Sequence, residues 1–277
     1  MEIVTIDVLM TCHNRREQTI SCLNSLFQFE TDSLRFEVYL VDDGSQDLTR
    51  EAVSINFPKV NIIEGSGVLF WAAGMALAEA SIKNPSAWTL WLNDDLILNP
   101  ETLNFSKLLA NTGQNCISIG QISDRLGNFL YGGTFQFGIL KDNLKSVQLE
   151  SYKNREPRTF NGNFVLMPLS VRKKLGPIDG GFSHGYADMD YGLRAKKIGI
   201  KIQIIPGYIA QSLGTTEYGV TPGRTSFKQL IKSPKGQPLN DQIRFFRRHA
   251  KFVWIIYVLI PFLRILKYKL SRFFTTH

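Results

Sequence analysis

The chain has 277 residues, 44% hydrophobic and 20% charged, which suits one large α/β domain with or without a small appendage and argues against general disorder. Its net charge of +8 is concentrated: Arg244, Arg247, Arg248, Lys251, Arg264, Lys267, Lys269 and Arg272 follow Asp241 and no acid does, so residues 1–241 are balanced. A neutral body with a cationic end excludes a uniformly basic nucleic-acid binder. The three cysteines (Cys12, Cys22 and Cys116) form no CxxC pair, and no basic-then-apolar leader opens the sequence. A reducing, cytoplasmic setting is therefore expected.

In chain order, residues 4–10 are apolar and β-branched and predict a first strand. Ile20, Leu23, Leu26 and Phe27 stand at helical spacing and predict a helix over 16–28. A second strand over 36–41 stops at Asp42-Asp43-Gly44-Ser45, and a short third covers 60–63. Gly65-Ser66-Gly67 opens a loop before an alanine-rich helix over 72–82. A fourth strand, 87–92, stops at Asn93-Asp94-Asp95, and Pro100 is expected to begin the next helix. Residues 121–148 read as hairpins and loops, 160–167 as a strand, 170–175 and 188–198 as helices, and 201–205 as a last strand. Residues 219–240 are linker-like, and 241–277 form a basic amphipathic tail. This alternation predicts a mostly parallel, Rossmann-like sheet with helices on both faces. Ligands of such sheets bind at the carboxyl ends of the strands, where Thr11–Arg15, Asp42–Ser45 and Asn93–Asp95 all fall.

Two adjacent carboxylates at a sheet edge suit a hard cation that also takes substrate phosphates. Taken alone, Asn93-Asp94-Asp95 reads first as an Asx turn capping a helix, and Asp42-Asp43-Gly44-Ser45 as a common turn. Their pairing around a glycine-rich segment changes this. Together they supply an acceptor for base or ribose donors, close backbone approach and a cation site, which is what a nucleotide diphosphate requires. Thr11-Cys12-His13-Asn14-Arg15 after the first strand is not GxGxxG, which argues against a dinucleotide dehydrogenase.

Four landmarks carry a family resemblance: Thr11-Cys12-His13-Asn14-Arg15, Val41-Asp42-Asp43-Gly44-Ser45, Trp91-Leu92-Asn93-Asp94-Asp95, and the run from Tyr186 through Asp188 and Asp190 to Arg194. In this order the sequence resembles family 2 glycosyltransferases of the GT-A fold over residues 4–212. The resemblance implies an inverting, metal-dependent transferase using a nucleotide sugar. Thr11, His13, Asn14, Arg15, Asp42, Asp43, Gly67, Trp71, Gly74, Asn93 and Asp94 would border the donor nucleotide, with Asp43 accepting the base N3–H. Asp95 would hold Mn²⁺ or Mg²⁺, and Asp188 would be the general base. Asn161, Gly162, Asn163, Asp190 and Arg194 would lie toward the sugar and acceptor, Arg194 facing either phosphate or solvent. Trp71 either stacks on the donor or packs in the core. Ala187 replaces the family's usual glutamate, and Gln211-Ser212 stands where many members have a histidine; His184 is not an obvious substitute.

The expected division is a catalytic domain over 1–218, with a nucleotide half (1–110) and an acceptor half (111–218), followed by linker and tail. The donor would be a UDP-sugar or a dTDP-sugar, and the acceptor a saccharide or lipid-linked saccharide of a cell-surface polysaccharide. The apolar run 252–263 is too short to span a bilayer, and with flanking cations, Trp254 and Tyr257 it suggests contact with the inner membrane surface. Two competing readings are a sugar nucleotidyltransferase, which would need a glycine-rich loop that His13-Asn14-Arg15-Arg16 lacks, and a degenerate protein that only binds nucleotide or a membrane partner.

Overall fold

The computed structural model describes residues 3–136, 144–146, 156–183, 185–214 and 238–259. The first strand, β1 (Val4–Cys12), is buried along most of its length, hence its nearly continuous apolar sequence. It pairs in parallel with β2 (Leu34–Asp42) on one side and β4 (Trp88–Leu92) on the other, and β2 pairs in parallel with β3 (Asn61–Glu64). Between them run α1 (Arg16–Phe27), α2 (Thr49–Asn56) and α3 (Phe70–Ala80).

Beyond β4 the expected parallel arrangement gives way to a mixed one. Strand β11 (Phe164–Pro168) is antiparallel to β4 and to β6 (Cys116–Ser123). Strand β12 (Lys201–Ser212) lies parallel to β6 and antiparallel to β5 (Leu96–Leu98), giving the order β3-β2-β1-β4-β11-β6-β12-β5. Strand β7 (Phe129–Tyr131) pairs with β6. A small second sheet holds β8 (Gly133–Gln136), β9 (Leu144–Ser146) and β10 (Thr159–Phe160).

The sheet separates two apolar cores, as helices on both faces require. Ile6, Val8 and Met10 of β1 pack with Leu23 and Leu26 of α1 and with Phe105 and Leu108 of α4 (Phe105–Asn111). Leu9, on the other face, shares a core with Met75 of α3, Val171 of α5 (Leu169–Leu175) and Tyr191 of α6 (Ala187–Lys197). That second core also takes Phe245 and Phe246 of α7 (Leu239–His249). Each buried phenylalanine contributes about 1.5–3 kcal/mol, so α7 is part of the body. Leu239 and Asn240, expected in a linker, open this helix; residues 219–237 of that linker and 260–277 of the tail lie outside the described residues.

Three local expectations are corrected. Pro100 does not begin a helix: Leu103 N donates to the Asn99 carbonyl in a turn, and α4 starts five residues later, where Asn104 Oδ1 accepts from Lys107 N at 2.9 Å. The strand expected over 160–167 is two strands in different sheets, because the chain crosses between them at Asn161-Gly162-Asn163. The last strand runs to Ser212 instead of ending at Ile205, since Pro206-Gly207 falls in a register shift between Ile204 and Tyr208 that β12 absorbs. Helix α2 and strand β5 have no counterpart in the expected elements. Among the described residues, no helix is long and apolar enough to cross a membrane.

Candidate active site

The parallel register sets Cys12 beside Asp42 and Leu9 beside Trp91, so the loops after β1, β2 and β4 leave the sheet at one edge. A cavity of about 470 Å³ opens there. Thr11, His13, Arg15, Asp43 and Gly67 line it from the first two loops and the glycine-rich segment. Trp71, Asn93 and Asp94 line it from α3 and the end of β4, and Asn161, Gly162, Asn163 and Asp188 from the β10–β11 crossing and the start of α6. Twelve expected residues thus meet in one space.

Asp43 organises the wall beside the glycine-rich loop. Its Oδ1 accepts from Gly67 N at 2.7 Å and its Oδ2 from Phe70 N at 2.9 Å, which ties the glycine-rich loop to the end of β2. Phe70 has a φ of +56°, a costly conformation for a bulky residue that this hydrogen bond holds in place. His13 Nδ1 donates to the Asp43 carbonyl at 2.6 Å; the carbonyl can only accept, so Nδ1 carries the proton, and Nε2 accepts from Asn14 Nδ2 at 3.0 Å.

Asn93 cross-links α3 to the β10–β11 crossing. Its Oδ1 accepts from Trp71 Nε1 at 3.0 Å, its Nδ2 donates to Asn163 Oδ1 at 2.6 Å, and its backbone N–H donates to the Asn163 carbonyl at 2.9 Å. An amide supplies both the acceptor and the donor this position uses; a carboxylate could not donate to Asn163. Trp71 also packs edge-on against Trp91 at 6.0 Å, so it serves core and cavity together.

Asp94 and Asp95 are 3% and 2% exposed, and Arg15 Nη1 donates to Asp94 Oδ1 at 2.8 Å and Asp95 Oδ2 at 3.3 Å. Asp94 Oδ2 is buried with no hydrogen-bond partner. Burial, opposed by the Arg15 charge and reinforced by that of Asp95, pushes the Asp94 carboxyl up to about 7. Burial also raises Asp95. Among the described residues, no group of three or more His, Cys, Asp or Glu could hold a metal. Ser212 pairs with Leu96 and Leu213 N donates to the Asp95 carbonyl, so the segment without a histidine does run beside this pair. Two carboxylates, one with a buried oxygen left unbonded, fit a hard cation that completes its shell with phosphate and water oxygens.

Asp188, on the first turn of α6, is half-buried. Its Oδ2 accepts from Gly162 N at 2.9 Å and its Oδ1 from Met189 N at 2.7 Å. Burial raises its carboxyl, against the effect of these amides, and makes it a better base than a solvated aspartate. Ala187, just before it, is fully buried in the second core, so a methyl stands where the family's usual glutamate would be.

Six expected site residues do not line the cavity. Asn14, with φ +51°, joins two loops through Ser45 and Gln46. Asp42 Oδ1 accepts from Ser45 N and closes its own turn. Gly74 packs α3 on β1: a Cβ there would stand 2.5 Å from Thr11 Oγ1. Asp95 Oδ2 accepts from Arg15 Nη1 at 3.3 Å. Asp190 is fully buried and accepts from Arg194 Nε, Arg248 Nη1 and His249 Nε2, which binds α6 to α7 rather than facing an acceptor. Burial alone would raise the Asp190 carboxyl; the hydrogen bonds from His249 and Arg248 and the Arg194 charge outweigh it and hold it low. Arg194 is accordingly neither phosphate-facing nor free: it also donates to the carbonyls of Leu175 and Pro177. His184 lies outside the described residues. Cys12, Phe70, Tyr131 and Gly185 line the cavity without having been singled out. Tyr131 fell within the stretch expected as hairpins and loops, and nothing in sequence places β7 over a strand end from which it is distant.

Residues 7–156 match the sequence profile of Glycosyl transferase family 2, which covers more than half of the chain. The chain belongs to that family, and it is a glycosyltransferase with a GT-A fold. Similar solved structures include GalNAc-T7 with UDP, GalNAc and Mn²⁺, at TM-score 0.57 and 13% identity, over 76% of this chain and 43% of that one. They include residues 1–349 of S. aureus TarS, at TM-score 0.54 and 16% identity, over 90% and 72%. The mannosyltransferase PcManGT from Pyrobaculum calidifontis, with GDP-Man and Mn²⁺, matches at TM-score 0.55 and 15% identity, over 91% and 65%. At these identities the likeness is one of fold, and this chain spans under half the length of GalNAc-T7 and just under two thirds of PcManGT. No curated protein matches the sequence.

Proposed function

We propose that this glycosyltransferase moves a hexose-type sugar from a UDP or dTDP donor to a saccharide or lipid-linked saccharide, with inversion, in building a cell-surface polysaccharide. The observation that carries this reading is that Asp188 opens into the same cavity as Asp94 and the Asp43-anchored glycine loop. In that space a nucleotide has amide, imidazole and carboxylate partners at one end, and a base stands at the other. Asp188 takes the acceptor hydroxyl proton as that oxygen attacks the anomeric carbon. Attack from the side opposite the leaving diphosphate, with one base and no protein nucleophile, inverts that carbon. Asn93 and Trp71 hold the cavity wall against the sugar, and Gly162 N–H keeps the Asp188 carboxylate aimed. A divalent cation, Mn²⁺ or Mg²⁺, held by Asp94 and Asp95 would offset charge growing on the diphosphate. Mn²⁺ accompanies two of the similar structures.

The catalytic unit in this reading extends past residue 218 to include α7. Beyond α7, Phe252 is 98% exposed, and Val253, Ile255, Ile256 and Leu259 are also exposed, in a stretch of sequence that is rich in lysine and arginine and has no acid. Exposed apolar side chains among cations fit an anionic membrane surface, which on this reading is the cytoplasmic face. Mn²⁺-dependent release of nucleoside diphosphate from UDP- or dTDP-hexoses, increased by a saccharide acceptor, tests the proposal. A nucleotide sugar synthesised from a sugar phosphate and nucleoside triphosphate would instead support the nucleotidyltransferase.

A further inference from the structure

Arg15 occupies the place a metal would take. It stands just ahead of α1, lines the cavity, and donates through a single nitrogen to both Asp94 and Asp95. The guanidinium is 36% exposed, while both carboxylates lie almost wholly inside. Without a partner cation, two adjacent buried carboxylates would repel each other and lack hydration, so Arg15 is what makes the pair tolerable in the donor-free protein. A cation placed between the two carboxylates would compete for the point that Arg15 Nη1 holds, 2.8 Å from Asp94 Oδ1 and 3.3 Å from Asp95 Oδ2. For that position the two cations are alternatives. A guanidinium released there is at the rim of the same cavity, and its planar fork matches phosphate oxygens.

We propose that Arg15 is a resident counter-cation: it holds Asp94 and Asp95 in the donor-free enzyme, yields them to the divalent cation, and then pairs with the donor diphosphate. This rests on the metal and donor assignments above. It goes further in predicting the order of events. The metal alone pays for displacing Arg15 and binds weakly, whereas metal and diphosphate together give the displaced guanidinium a new partner. Metal and nucleotide therefore bind cooperatively, and by linkage each tightens the other by the same factor. Phosphate oxygens that ligate the cation couple the two by themselves; the share that belongs to Arg15 is the part lost when it is substituted, and an arginine with a purely structural role has no such share.

The test is Mn²⁺ affinity from the electron paramagnetic resonance signal of the free ion, with and without UDP, for the wild type, Arg15→Gln and Arg15→Lys. In the wild type, UDP should tighten Mn²⁺ at least tenfold. Arg15→Gln should bind Mn²⁺ without UDP at least tenfold more tightly than the wild type, gain less from UDP, and show a larger rise in melting temperature on adding Mn²⁺. Arg15→Lys keeps the charge but loses the fork; it should fall between the two, and it carries the comparison if the glutamine variant does not fold. Equal Mn²⁺ affinity of variant and wild type without UDP, alongside tight wild-type binding with UDP, would overturn the exchange and leave the metal assignment standing. A wild type that binds no Mn²⁺ even with UDP would overturn both.

Discussion

Gly162 and Asp188 meet across the cavity: the glycine N–H donates to Asp188 Oδ2 at 2.9 Å, and a Cβ on Gly162 would stand 2.5 Å from two carbons of the Trp71 indole and 3.2 Å from Asp188 Cβ. The crossing from β10 to β11, the indole on α3 and the base on α6 thus share one contact point. Gly162→Ala forces apart groups that cannot all retreat. It should lower kcat at least tenfold and cost about 1–3 kcal/mol of stability, read by steady-state kinetics and by urea unfolding.

Asp188→Asn keeps a side-chain oxygen for one of the two amides and loses the proton acceptor. Turnover should fall by about 10²–10⁴-fold, with donor binding retained by calorimetry. The pH dependence follows from the direction of the shift. The base acts deprotonated and burial raises its carboxyl, so kcat/KM should decline as pH falls through a value above the ordinary 3.8 of an aspartate. An acid limb at or below 3.8, or near-normal transfer by Asp188→Asn, would assign the base elsewhere.

The parallel half of the sheet and its three polar strand ends were legible because buried strands, glycine turns and helical spacing are local signals. Of the twelve residues that reach the cavity, those at the strand ends were read from the same signals, and Asn161, Gly162, Asn163 and Asp188 were expected only from the family resemblance. What stayed hidden depended on long-range partners. Asp190 and Arg194 carried the right motif spacing, but Arg248 and His249, which claim Asp190, lie more than fifty positions away on α7, and Arg194 is taken up by Asp190 and the carbonyls of Leu175 and Pro177. Gly74 was expected to border the donor nucleotide because sequence cannot show Thr11 lying against it. Tyr131 reaches the cavity only because the chain turns antiparallel beyond β4, a change no local pattern announces.

Asp94 makes a metal-free prediction about stability. Its carboxyl sits at about 7 in the folded protein against an ordinary 3.8. Between these values the folded state keeps a proton that the unfolded state has lost, so stability drops as pH rises across that window and levels off above it. Asp94→Asn removes this loss. In EDTA the variant should gain on the wild type from pH 4 to 7 and hold a constant advantage above pH 7, at most about 4 kcal/mol. Parallel pH profiles of unfolding free energy for the two proteins would refute it.

Because Phe245 and Phe246 lie in the core, cutting the chain near Asp241 would disrupt the fold and reveal nothing about membranes. Replacing exposed Phe252, Ile255, Ile256 and Leu259 with serine is the cleaner comparison. The full-length protein should float with vesicles containing an anionic phospholipid, and less so at high salt. The quadruple variant should remain at the bottom of the gradient. Equal flotation of the two would remove this surface from the account.

The central claim is that the cavity holds a nucleoside diphosphate sugar together with a divalent cation. The most direct measurement is a thermal-shift panel of nucleotide sugars with Mn²⁺, repeated in EDTA. A donor at 100 times its Kd stabilises by about 2.7 kcal/mol, which for a chain of this size raises Tm by roughly 5 °C or more. That shift is expected with a UDP- or dTDP-sugar in Mn²⁺, and its loss in EDTA. No shift with any nucleotide sugar, or one that EDTA leaves unchanged, would contradict the claim.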